Sequence, residues 1–304
     1  MISAIWKQSK ILAATAAIML LDFIFTLIGL AVDPRLISGA PAWLKPAKFA
    51  ISTAIFAATI AWLSQYLSAY GKTMRWIGPA IAVILVIEVA IIDFQAARGT
   101  TSHFNVGTVE DSILYSVMGT SIGILWLLSI WISILLFRQT FKDAVWGWAL
   151  RLGVLLSVLG SASGGLMTMP STSQRAMIAD HEHLTVVGAH TVGAPDGGPG
   201  IAGVGWSKEH GDLRIPHFLG LHAVQLIPFL VWWRGRNRTN RFVFAISGSY
   251  FLLFLLLLWQ ALRGESINSP GPVTLLALGG WLGATIVALL PLYKNRYRRV
   301  EVSA

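Results

Sequence analysis

No cysteine occurs in the 304 residues. That excludes disulfides, thiolate metal sites, iron–sulfur clusters and cysteine nucleophiles, without fixing the compartment. Charge is scarce too: 12% of residues are charged, against about a quarter in a soluble domain. Two familiar motifs are missing. The glycine run GAPDGGPGIAGVG at 193–205 holds no Gly-x-Gly-x-x-Gly between a strand and a helix. HEHLTVVGAH at 181–190 lacks the HExxH order of a zinc protease; His181-Glu182-His183 suits a surface metal site only weakly, and such alternation on a loop is more often solvent-exposed. What remains is apolar, 55% hydrophobic with mean hydropathy +0.66. A bilayer is the expected surrounding.

Runs of about 20 apolar residues mark membrane spans. Eight are expected, at 11–32, 47–69, 75–97, 109–137, 144–168, 214–233, 241–262 and 270–293. The first follows Lys7 and Lys10 and precedes Ala40-Pro41-Ala42, as in a secretory signal, but it is too long for a cleaved core and reads as a retained helix. With the N-terminus inside, fifteen of the 23 lysines and arginines fall on the cytoplasmic side. They include Arg234–Arg241 and Lys294–Arg299. The +9 net charge is therefore a topology signal and needs no nucleic acid. The expectation is an all-α polytopic bundle in a bacterial cytoplasmic (inner) membrane, with both termini cytoplasmic. The long loop 169–213 lies outside and reads as either a spacer or a lid.

Two span ends look alike. Gln95-Ala96-Ala97-Arg98-Gly99 closes span three and Gln260-Ala261-Leu262-Arg263-Gly264 closes span seven. Lys45-Pro46-Ala47-Lys48-Phe49 and Arg214-Ile215-Pro216-His217-Phe218 open spans two and six at nearly the same offset. A parallel four-plus-four repeat, 1–143 and 144–304, would explain both.

Polar residues in and beside the spans gather toward the outer side. Ionisable groups inside a span are costly and point to function. Asp22 lies about 15 Å from the outer end of its span and Glu88 about 13 Å; these are the candidate catalytic groups. Candidate ligand-binding residues are Lys48, Gln95, Arg98, Asn105, Asp212, Arg214, Gln225, Gln260 and Arg263. Those nearest the interface can instead snorkel or hold lipid headgroups. His103, His217 and His222 are the candidate ligands of a haem or a divalent metal, since neutral imidazole binds both. His217 and His222 are about 140° apart on a straight helix, too far to chelate one ion together. Pro228 is expected to kink that helix. Gly160 and Gly164, with Ser157 and Ser161, read as a packing face.

QAARGTTSHFN, with GAHTVGAPDGGPG and GWSKEHGDLRIPHFLGLHAVQ, resembles a bacterial family of multi-pass membrane proteins. The resemblance spans helices three and six and the loop before six; it implies an intact bacterial membrane protein and carries no activity. Three functions stay open. One is a haem- or metal-binding oxidoreductase or other enzyme acting on a lipid, a quinone or a small anion. The others are a proton-coupled transporter and a non-catalytic anionic-lipid binder.

Overall fold

The computed structural model describes residues 9–301; Lys7, used in the charge count, lies outside them. It is an all-α polytopic bundle. Among the described residues, seven helices are long and apolar enough to cross a membrane, and an eighth crossing is counted if one bent pair is a single span. By contact the chain divides into two compact units. One comprises Met1–Leu135, Thr168–Ala189 and Pro195–Gly205; the other comprises Leu136–Met167, His190–Ala194 and Trp206–Ala304.

In the first unit, α1 (Lys10–Val32) leads into a hairpin of β1 (Leu36–Ile37) and β2 (Ala40–Pro41). Ser38 and Gly39 both have positive φ, 48° and 77°, which suits the two-residue turn of a hairpin. The Ala-Pro-Ala that imitates a cleavage site thus supplies its second strand. Then come α2 (Leu44–Leu63), α3 (Gly71–Arg98) and α4 (Val109–Arg138). Alanines at 47, 50, 54, 57 and 61 are buried on α2, and such small residues let backbones approach closely. Met19 of α1, Ala54 of α2 and Val89 of α3 meet in one core cluster. The opposite faces of α1 and α4 expose large apolar side chains, as lipid-facing helices do.

The second unit contains α5 (Ala144–Ala162), the short α6 (Gly164–Met167), and, after the loop, α8 (Arg214–Leu221) and α9 (Ala223–Trp233), then α10 (Asn240–Leu262) and α11 (Pro272–Glu301). The loop 169–213 is more ordered than a spacer. It holds α7 (Thr172–Ala179), started by a Ser171–Gln174 capping box, and a hairpin of β3 (Thr191–Val192) with β4 (Gly211–Asp212).

Span six is broken. Its bend of 47° falls between α8 and α9, at His222, six residues before Pro228, which sits inside α9. A break inside a membrane needs its backbone groups satisfied by neighbours. Ser157 of α5 donates to the Leu221 carbonyl at 2.9 Å and the Tyr250 hydroxyl of α10 donates to that of Leu219. Gly160 makes the approach feasible, since a Cβ there would lie 2.3 Å from the Gly220 Cα.

Candidate functional site

The strongest polar constellation is in the first unit, where α3 ends. Gly99 takes the left-handed conformation, φ 79°, that closes a helix. The Gln95 side chain caps the turn, donating to Asp111 Oδ1 at 2.8 Å and to the Thr101 carbonyl at 3.5 Å. Arg98 donates to Gln95 Oε1 at 2.7 Å, pairs with Asp111 at 3.0 Å and Glu110 at 3.1 Å, and lies over the Phe94 ring. Asn105 donates to Thr100 Oγ1 and the Thr101 carbonyl and accepts from the Gly107 N–H. These bonds tie residues 99–108 into one rigid loop.

That loop carries His103 to Glu88. Glu88 lies ten residues before the end of α3, about 15 Å along the axis, so the loop folds back beside its own helix to reach it. His103 Nε2 stands 3.5 Å from Glu88 Oε1. Glu88 is 3% exposed, and neither of its carboxyl oxygens has a hydrogen-bond partner among the described residues. His103 Nδ1 meets Ser102 Oγ at 3.1 Å. Phe49 of α2 packs on the imidazole at 5.5 Å between centroids, and Lys45, whose Nζ lies 5.9 Å from the Phe49 ring centre, is within electrostatic range of Glu88. Phe104 is buried at φ 64°, a conformation that costs energy in a non-glycine residue and clusters at functional sites.

A second acidic pair lies in the same unit. Asp22 of α1 and Asp93 of α3 lie within electrostatic range of each other, and each keeps one buried carboxyl oxygen without a hydrogen-bond partner among the described residues. The sequence pointed to Asp22 and Glu88 together, but the structure gives them different partners. Asp93 was missed. Its signal was there, a charge inside an apolar run four residues beyond Val89, which shares a cluster with Met19, three before Asp22. Lys45 and Ser102 were also absent from the expected site.

Lys48 holds the glycine-rich loop: its Nζ donates to the Val204 carbonyl at 2.8 Å. Beside the 99–108 loop opens a groove of about 880 Å³, lined by Val106, Thr108, Ser112, Ile113, Ser116 and His183 among others. Among the described residues no Asp, Glu, Lys or Arg lines it.

In the second unit Gln260 repeats the duty of Gln95, donating to the Ser266 carbonyl, six residues on, at 3.0 Å. Gly264 follows at φ 71°. Arg263 stacks on Trp259 at 4.6 Å. Asp212 accepts from the Arg214 backbone and guanidinium and from the Ser207 N–H, and so fastens the start of α8. His217 Nδ1 lies 3.1 Å from the Gly160 carbonyl. His222 packs on Phe218 and lies within interaction range of the Gln225 side chain.

The expected metal ligands find no support in the structure. Among the described residues no three His, Cys, Asp or Glu side chains form a group that could hold an ion. His217 turns to a backbone carbonyl while His222 turns to Phe218 and Gln225, so the two do not converge. His103 has Glu88 and Ser102 as its neighbours.

Comparison with protein-family models, with curated proteins and with solved structures finds no match.

Proposed function

We propose that this chain is a membrane enzyme that exchanges a proton with a lipid, quinone or small anionic substrate at the outer face of a bacterial cytoplasmic membrane, with both termini in the cytoplasm. One observation carries the reading: a buried Glu88, with no hydrogen-bond donor among the described residues, faces the imidazole of a half-buried His103 at 3.5 Å. A carboxyl so placed has no structural hydrogen bond to explain its burial. An imidazole in front of it has one edge toward the carboxyl and partial access to the surroundings, as a proton exchanger requires. Lys45 and Phe49 border the site and suit an anionic group or a flat ring. The uncharged groove beside the loop favours an amphiphile over a polar solute.

The test is turnover. Protein in nanodiscs is incubated with extracted bacterial lipids and with short-chain quinones, and products are followed by mass spectrometry. A product made by the wild type and reduced about a hundredfold by Glu88→Gln or His103→Gln supports the reading. Turnover that is unchanged in both variants overturns it.

The Asp22–Asp93 pair favours a second reading, proton-coupled transport. Its mark is solute flux into proteoliposomes that is lost in Asp93→Asn and kept in His103→Gln. Against it, the inner halves of the spans offer few polar residues to complete a path.

A further inference from the structure

We propose that Ser102 is a nucleophile and that Ser102, His103 and Glu88 form a hydroxyl–imidazole–carboxyl relay for acyl transfer from a carboxylic ester of an amphiphile. The proposal rests on the reading of Glu88 and His103 as an acid–base pair and names what that pair activates. Nucleophilic hydroxyls need an adjacent base, oriented in turn by a third group. Here Ser102 Oγ is 3.1 Å from His103 Nδ1, and His103 Nε2 is 3.5 Å from Glu88 Oε1. A neutral imidazole protonated at Nε2 satisfies the whole chain, because Nδ1 then accepts from the serine hydroxyl while Nε2–H points at the carboxyl. The second contact is about half an ångström longer than a hydrogen bond, and such contacts often tighten only when substrate is bound.

The surroundings agree. The loop is held at both ends by Gln95 and Asn105, so its geometry is set before any ligand arrives. The strained backbone is at Phe104, one residue past the imidazole. Ser102 is 3% exposed and His103 21%, so the relay is nearly covered and a small acyl donor or probe is required.

The step balances. Ser102 Oγ attacks the ester carbonyl carbon as its proton passes to His103 Nδ1, and the imidazolium is stabilised by the Glu88 carboxylate. The tetrahedral adduct collapses, the carbon–oxygen bond to the alcohol breaks, and the departing alkoxide takes the proton from Nδ1. Water, or the hydroxyl of a second lipid, then attacks the acyl-serine by the same route and restores the free hydroxyl. Glu88 acts through His103 and is a positioning residue.

Diisopropyl fluorophosphate tests this on the full chain in nanodiscs, with adducts located by peptide mass spectrometry. A diisopropylphosphoryl group on Ser102 is expected, absent in Ser102→Ala and formed at least about tenfold more slowly in His103→Gln and Glu88→Gln, with partial recovery in Glu88→Asp. A purely structural serine would show no adduct. Because the chain has no cysteine, Ser102→Cys also creates a unique thiol. Its alkylation by iodoacetamide is expected to slow at least about tenfold when His103→Gln is added. An unmodified Ser102 together with His103-independent alkylation of Ser102→Cys overturns the nucleophile. If Glu88→Gln still abolishes turnover in that case, the acid–base reading stands without it; if turnover is also unaffected, both fall.

Discussion

Asp143 shows how one side chain sets a helix start and a pH dependence. It caps α5 by accepting from the Trp146 N–H at 3.0 Å, and it pairs with Arg238. That backbone bond, followed by the guanidinium, holds its carboxyl below the usual carboxylate range. A depressed pKa means stability that is present above the unfolded value of about 3.9 and lost as pH falls through the lower folded value. Asp143→Ala is expected to cost about 1 kcal/mol at neutral pH. Thermal unfolding in detergent should show the gap between variant and wild type closing below about pH 4. Gly264 is a second single-residue case. It sits at φ 71°, and a Cβ there would meet the Val192 carbonyl at 3.3 Å, whereas at Gly99 the nearest atom is the end of the flexible Arg35 side chain at 3.5 Å. Gly99→Ala should cost about 1–2 kcal/mol from left-handed strain alone, and Gly264→Ala more, as read from the same melts.

At the scale of elements, the bent pair of α8 and α9 decides how the second unit packs. Gly160 and Gly220 bring α5 and α8 together, and Ser157 and Tyr250 accommodate the carbonyls beside the break. Gly160→Ala drives a methyl into the Gly220 backbone, 2.3 Å away, and should cost about 1–3 kcal/mol as overpacking. Gly119→Ala on α4 meets nothing within 4 Å and should be neutral or slightly stabilising through helix propensity. If Gly160→Ala melts with the wild type, the close approach is not a determinant of this packing. The bend itself was only partly readable. Pro228 announced a weakened helix, but the bend falls at His222, where neighbouring side chains take up the carbonyls. The helix-end caps show the same limit. The likeness of the two Gln-Ala-x-Arg-Gly ends is plain in the sequence, yet whether a glutamine there binds a ligand or folds back on its own loop depends on where the next six residues go. Both fold back.

For the whole molecule, the expected orientation can be checked directly, because the absence of native cysteine makes any introduced one unique. Glu182→Cys, exposed on the loop 169–213, should react with an impermeant maleimide on intact cells. Lys142→Cys, exposed between α4 and α5, should react only after permeabilisation. The reverse pattern would invert the proposed topology and put the Glu88–His103 site on the cytoplasmic side. The shared geometry of the two helix ends suits the four-plus-four repeat expected from the sequence, in which Arg98 and Arg263 correspond while Glu88 and His103 have no ionisable counterpart. At the offset that aligns the glutamines, leucine stands opposite Glu88 and asparagine opposite His103.

The sequence by itself determined that this is a helical membrane protein, because apolar run length and scarcity of charge are summed along the chain and need no neighbours. It also marked Glu88, Asp22 and the histidines, since each is expensive where it lies. Only the tertiary structure decided their partners. Glu88 and His103 are fifteen residues apart and meet because a loop turns back along α3; Asp22 and Asp93 meet because α1 and α3 pack through Met19 and Val89. Burial cost is a property of one residue in its medium, whereas chemistry needs a distance between two.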